Sequence, residues 1–116
     1  MFQTIHINNI PFLLKISSSP SELTKGLMYV KHLPELSGMF FVFPSNDYHS
    51  IWMKNTYIPL DILFINEDNT IVHTHRCAKP FDLTHITTPK KCRYIIELNC
   101  GTLDKYNIKI GDKIYI

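Results

Sequence analysis

Residues 51–65 constrain the fold of this chain more than any other segment. They place the only tryptophan, a lysine, an asparagine and an aspartate (Trp52, Lys54, Asn55 and Asp61) in a run of large apolar side chains that otherwise suits a folded core. Charged side chains are rarely fully buried unless they are paired. The segment therefore predicts either a binding pocket with aromatic walls or a structural ion pair in a small barrel.

Length and composition predict one globular domain that spans residues 1–116. A chain of 116 residues can bury a modest core, and 45% apolar with 19% charged residues is typical of folded proteins. The net charge is only +2 and the basic residues are scattered, so nucleic-acid binding is not expected. No apolar run approaches the ~20 residues that cross a bilayer, so no membrane span is expected.

The N-terminus and the cysteines both favour a cytoplasmic location. The first 16 residues lack a basic region, an uninterrupted apolar stretch and a small-residue cleavage site, so no signal peptide is visible. The cysteines Cys77, Cys92 and Cys100 are an odd number and form no CxxC motif. They predict free thiols in a reducing compartment rather than a disulfide framework.

The first third of the chain carries clear local signals. Residues 2–7 alternate apolar and polar side chains, Asn8-Asn9 marks a turn, and residues 11–16 return, which predicts a β-hairpin. A short helix over 20–25 follows. Ser19 is its expected N-cap, with proline at the first position, Glu22 completing a capping box and glycine at the end.

The rest of the chain is predicted to be mainly strands. Strands are expected at 38–43, 49–55, 61–65, 70–75, 93–98 and 113–116, with a surface loop over 80–91 and a helical turn over 102–106. The fold class is therefore mainly β (α+β), a compact barrel-like or sandwich domain of about seven to eight short strands with one short helix.

Several blocks of the chain resemble the DUF192 (UPF0127) family. These are Lys25-Gly26-Leu27-Met28, Gly38-Met39-Phe40-Phe41-Val42-Phe43, Trp52-Met53-Lys54-Asn55-Thr56 and Ile58-Pro59-Leu60-Asp61, with later landmarks at Glu97-Leu98, Gly101 and Ile110-Gly111-Asp112. The resemblance runs from about residue 24 to the C-terminus and implies a small, mainly β, barrel-like domain. The family has no established activity and supplies no catalytic residues. It usually has arginine where this chain has Lys25, and many of its members carry an export signal.

Four polar residues form the first candidate site. Lys54, Asn55, Asp61 and Glu97 are expected on strands whose faces alternate between interior and exterior, so their side chains could converge at one rim. Two carboxylates in different surroundings can divide acid and base roles, and a lysine beside them can bind an anionic group. The alternative is a structural ion pair with an asparagine that satisfies backbone groups in a turn.

Histidine and cysteine residues suggest two further sites. His73, His75 and Cys77 follow each other at every second position, which would place imidazole and thiolate donors on one strand face and could bind zinc. The alternative is an ordinary solvent-facing strand. Cys92 lies between Lys91 and Arg93, which makes it the best candidate for a thiol of low pKa, but no family-like motif surrounds it and a catalytic thiol is not expected.

Met28 and Met39 complete the candidate binding residues. With Trp52 they would give a pocket soft, aromatic walls suited to an apolar or sugar-like ligand, unless they simply fill the core. Three functions follow: a non-catalytic binding or accessory module for a small polar ligand or a partner segment, a hydrolase-like enzyme using Asp61 and Glu97, or a purely structural interaction domain. The absence of a nucleophile elbow, phosphate loop or strong metal motif argues against the enzyme, and the binding module is the preferred prediction. No cofactor is expected.

Overall fold

A computed structural model describes all 116 residues. The nine strands are β1 (Phe2–Ile7), β2 (Ile10–Ser17), β3 (Ser37–Asp47), β4 (Ser50–Ile51), β5 (Leu60–Ile65), β6 (Ile71–Ala78), β7 (Ile86–Thr87), β8 (Cys92–Asn99) and β9 (Ile114–Tyr115). The two helices are α1 (Pro20–Lys25) and α2 (Thr102–Lys105). No helix is long and apolar enough to cross a membrane.

The larger sheet is a curled half-barrel of seven strands in the order β6-β5-β8-β3-β2-β1-β9, and β4 pairs with β7 separately. Its two edges meet at one end. There the backbone N–H of Ile71 donates to Asp112 at 2.8 Å, and that of Ile114 donates to Asn69 at 2.9 Å. The prediction of a mainly β, barrel-like domain is confirmed.

The local signals near the N-terminus produce the predicted structure. Asn8 and Asn9 both adopt positive φ values, 51° and 63°, and let β1 fold back on β2 with Ile7 opposite Ile10. The Ser19 hydroxyl accepts the Glu22 backbone N–H at 3.2 Å, and the Glu22 carboxylate accepts the Ser19 N–H at 3.0 Å. This is the expected capping box, and it starts α1 at Pro20.

Both faces of the central sheet are covered. One face, inside the curl, packs Phe40, Leu63 and Ile96 with side chains of β1, β2 and β9. The other packs Phe41, Ile62 and Ile95 under the segments that follow α1 and β4. All six residues of β5 are buried for this reason, which explains its uninterrupted apolar sequence.

The predicted strand over 49–55 is wrong. Only Ser50–Ile51 is a strand, and the chain then turns, with Asn55 in the left-handed region at φ 53°. The strand rule that side chains point alternately to opposite faces therefore does not apply to Trp52 and Lys54. The directions of these two side chains depend instead on the turn.

Candidate functional site

A cavity of about 320 Å³ opens between α1, β3 and the segment that follows β4. We call it the Glu97 cavity, because Glu97 is the acidic residue that lines it. Its other lining residues are Leu23, Thr24, Lys25, Gly26, Leu27, Met28, Phe41, Phe43, Ser50, Ile51, Trp52 and Thr56. Seven of its 13 lining residues are hydrophobic, so apolar walls and polar groups contribute about equally, and a ligand here would need both apolar and hydrogen-bonding surface.

Glu97 lies at the buried side of this cavity. It sits on β8 between Met39 of β3 and Ile62 of β5, and only 4% of it is exposed. Desolvation alone raises the pKa of its carboxyl to about 8, so no hydrogen bond within the protein offsets its burial. At neutral pH the group is mainly protonated and can both donate and accept a hydrogen bond.

Gly26 leaves the space above this carboxyl open. It has φ +49°, a value that other residues rarely adopt, and a Cβ there would lie 3.1 Å from Phe41 Cζ and 3.6 Å from Glu97 Oε1. The glycine that ends α1 therefore also keeps the end of the helix from closing over Glu97.

Trp52 provides an aromatic wall of the cavity. Its half-buried indole packs at a tilt against the His85 ring, with 5.5 Å between centroids. The Lys54 ammonium lies 5.1 Å from the centroid of the Trp52 ring. Lys54 itself is exposed and does not line the cavity, so it contributes a nearby positive charge rather than a wall.

Asn55 holds the rim of the cavity in place. Its side-chain amide donates to the Tyr29 hydroxyl at 3.0 Å and lies 4.0 Å from the Met28 sulfur, while its carbonyl accepts the Tyr29 N–H at 2.8 Å. Met28 lines the Glu97 cavity. Met39 instead lines a neighbouring cavity of about 420 Å³ that shares residues 25–28 with the first.

Asp61 does not pair with Lys54. It is 1% exposed, and its carboxylate accepts the backbone N–H groups of Cys77 at 2.9 Å, Gly101 at 3.1 Å and Leu103 at 3.0 Å. The expected ion pair is thus replaced by three bonds to backbone, which satisfy the carboxylate without a cation.

Asp61 and Glu97 do not converge at one rim. Asp61 stands opposite Leu98, whereas Glu97 stands opposite Ile62, so the two carboxyl groups project from opposite faces of the sheet. The cause is register: neighbouring residues of paired strands alternate in direction. Two-carboxylate chemistry would need both groups on one face.

The candidate zinc ligands His73, His75 and Cys77 do not come together as one cluster. A bulge opposite Leu60 and Ile62 breaks the alternation of β6, and Cys77 there has φ 47°. His73 packs against the Phe64 ring at 5.7 Å. Cys77 forms a disulfide with Cys100, so its sulfur is not available as a thiolate.

The prediction of three free thiols is therefore wrong, because folding brings together two cysteines that lie 23 residues apart. The expected cytoplasmic location loses part of its support, since disulfides are typical of oxidising compartments. Cys92 is free and fully buried, and burial raises the pKa of its thiol to about 11. Cys92 is therefore not the low-pKa candidate that its neighbours in the sequence suggested, because desolvation outweighs the one contact that lowers its pKa, a hydrogen bond with the His49 backbone.

The sequence did not single out several residues of the cavity. Thr24 and Ser50 are exposed at its mouth with Lys25, and Thr56 is buried with its hydroxyl donating to the Lys54 carbonyl at 3.1 Å. Lys25 and Thr56 belong to sequence blocks that resemble the family, so membership of those blocks could have identified them as candidate site residues. Ser50 carries no such signal.

The curled seven-stranded sheet and the Glu97 cavity beside α1 define this protein as a small half-barrel β domain with a candidate binding cavity. The chain belongs to the DUF192 family, described as an uncharacterized ACR, whose family model matches residues 3–116. No curated protein matched the chain.

Two solved structures are similar to this protein. A "putative transcription regulator" from Sinorhizobium meliloti 1021 has a TM-score of 0.90 and 35% identity, over 91% of this chain and 82% of that one. A protein of unknown function from Novosphingobium aromaticivorans DSM 12444 has a TM-score of 0.93 and 28% identity, over 99% of this chain and 85% of that one.

Proposed function

We propose that this protein is a non-catalytic binding module whose Glu97 cavity takes a small, neutral, polar ligand of sugar-like chemistry. The observation that carries the proposal is the buried, unpaired carboxyl of Glu97 facing a cavity with an aromatic wall. A buried polar group without a partner costs free energy, and a ligand that supplies the missing hydrogen bond would recover it.

Size and polarity both support this ligand class. A cavity of about 320 Å³ lies at the small end of ligand pockets. The Trp52 indole can pack against the apolar face of a sugar ring or polyol. The hydroxyl of Thr24 donates to the Pro20 carbonyl at 3.0 Å and that of Ser50 lies 3.2 Å from His85 Nδ1, and both oxygens can still accept a hydrogen bond from the polar edge of the ligand. Because Glu97 is mainly protonated at neutral pH, its carboxyl suits a hydroxyl or carbonyl better than a cation.

The hydrolase alternative lacks a second carboxylate. Asp61 lies on the other face of the sheet and already accepts three backbone N–H groups. Glu97 is the only acidic side chain that lines the cavity. A single carboxylic acid can hold a ligand, whereas the paired acid and base of glycoside cleavage need two.

DNA binding is not carried over from the description of the Sinorhizobium meliloti protein. The helices here have six and four residues, too short to serve as a recognition helix in a major groove. The net charge of +2 also provides little attraction for phosphates.

Ligand-dependent thermal stability tests the proposal. A panel of neutral monosaccharides and polyols is added to the oxidised protein, and a ligand at ten times its Kd stabilises the fold by about 1.4 kcal/mol. Glu97→Leu removes the hydrogen-bonding carboxyl at similar size, and Trp52→Leu removes the wall. Both should abolish or reduce the shift, while the control Lys54→Ala, outside the cavity, should keep it.

A panel in which no compound raises the melting temperature of the wild-type protein would contradict this function. So would a shift that persists unchanged in both cavity variants, because the ligand would then bind elsewhere. If Lys54→Ala also loses the ligand-induced rise in melting temperature, the ligand binds at the exposed rim around Lys54 rather than in the Glu97 cavity, which would contradict the proposal. A shift produced by a peptide segment and by no sugar or polyol would favour the partner-segment alternative.

A further inference from the structure

The Cys77–Cys100 disulfide lies over the buried Asp61, on the face of the sheet away from the Glu97 cavity. It joins the end of β6 to the turn that precedes α2, with a Cα–Cα distance of 4.7 Å, and both cysteines are exposed. The two sulfur atoms and a carboxylate oxygen of Asp61 all lie within 4.8 Å of one another. Three potential metal ligands from three chain segments therefore share one small space.

Asp61 connects both cysteine segments by hydrogen bonds, in addition to the disulfide. One carboxylate oxygen accepts the Cys77 N–H at 2.9 Å, and the other accepts the N–H of Gly101, next to Cys100, at 3.1 Å. Leu103 donates to that second oxygen at 3.0 Å. Because these bonds do not depend on the S–S bond, the two sulfur atoms should remain neighbours after reduction.

We propose that the reduced protein binds a thiophilic divalent cation, Zn²⁺, through Cys77, Cys100 and Asp61. Two thiolates and one carboxylate oxygen are ordinary zinc ligands, and solvent at this exposed position can complete a tetrahedron. The Asp61 oxygen that bonds Cys77 accepts only that one hydrogen bond, which leaves a lone pair for the metal. The bonds to backbone act as the outer shell that orients the ligand.

The reaction that opens the site is a two-electron reduction. A dithiol protein breaks the S–S bond by thiol–disulfide exchange and is itself oxidised to a disulfide. In vitro, a water-soluble phosphine breaks it with one water molecule, which supplies the oxygen of the phosphine oxide and the two protons of the thiols. Each sulfur gains a proton, so the product is the dithiol. Zinc binding then releases two protons to solvent as the two thiols become thiolates. Metal binding is therefore switched by the redox state of the cysteines.

Zinc titration of the oxidised and reduced full-length protein tests this inference. The protein is reduced with phosphine, the phosphine is removed without oxygen, and Zn²⁺ is added in competition with a chromogenic chelator. The reduced wild type should bind one Zn²⁺ per chain and the oxidised form none. Cys77→Ser and Cys100→Ser should each weaken binding at least about 100-fold, since even outer-shell changes cost 10- to 100-fold.

Cys92→Ala is the matched control, because it removes a cysteine outside the cluster and should bind zinc like the wild type. Circular dichroism in the same buffers establishes that each variant is folded. Failure of the reduced wild type to bind zinc would overturn the inference, as would loss of binding in Cys92→Ala or full binding in Cys77→Ser. A reduced chain that loses its native spectrum and does not regain it with Zn²⁺ would also overturn it.

Discussion

Replacing Asp61 with alanine removes the acceptor of three backbone hydrogen bonds. These bonds anchor the bulge of β6 at Cys77 and the start of α2 at Gly101 and Leu103. The carboxylate is 1% exposed, and no cation pairs with it. The expected loss of stability therefore comes from the orphaned N–H groups rather than from a broken ion pair.

The magnitude follows from how much water can reach each donor. Leu103 is 1% exposed, so its N–H would remain unsatisfied at a cost of ~1–3 kcal/mol. Cys77 and Gly101 are exposed, so water can replace the carboxylate there, and each bond is worth ~1 kcal/mol net. The free energy of unfolding of Asp61→Ala should thus fall by ~3–5 kcal/mol.

Urea unfolding at pH 7 of the oxidised protein measures this loss, with Asp68→Ala as the matched control for an exposed aspartate. Lys54→Ala should cost less than ~1 kcal/mol, because an exposed cation–π contact is worth little. The double variant of Lys54 and Asp61 should be additive within ~0.5 kcal/mol. A larger loss for Lys54→Ala than for Asp61→Ala, or strong coupling between them, would refute this account.

Three more predictions concern buried groups. Between pH 4.5 and about 8 the native state keeps a proton on Glu97 that the unfolded chain has lost, so wild-type stability should fall as pH rises through this window. As pH rises through this window, the free energy of unfolding of Glu97→Gln, measured with urea, should come to exceed that of the wild type by several kcal/mol. The exposed control Glu67→Gln should show no such increase. A difference between Glu97→Gln and wild type that does not change with pH would contradict the raised pKa. Because burial raises the pKa of Cys92 to about 11, the native oxidised protein should not react with a thiol reagent at pH 8, and unfolding in denaturant should expose one thiol. Gly38→Ala would bring a Cβ within 2.2 Å of the Glu97 carbonyl oxygen and should cost at least ~1–3 kcal/mol, so a variant as stable as wild type would show that β3 can shift.

The sequence determines the local elements of this protein because their signals depend on near neighbours. Two asparagines turn β1 into β2, and Ser19 with Glu22 caps α1, as predicted. The apolar run of β5 and the overall mainly β class are likewise readable from composition and alternation. The strand predicted over 49–55 was wrong because alternation alone does not detect the left-handed turn at Asn55.

The candidate site was only partly predictable. Trp52, Met28 and Glu97 do line one cavity, but Lys54 is outside it and Asn55 supports its rim. Strand pairing decides that Asp61 and Glu97 face opposite sides, because a shift of one residue reverses the direction of a side chain. Long-range packing alone brings Cys77 to Cys100 and buries Cys92. Such contacts join residues far apart along the chain, so only the tertiary structure could decide them.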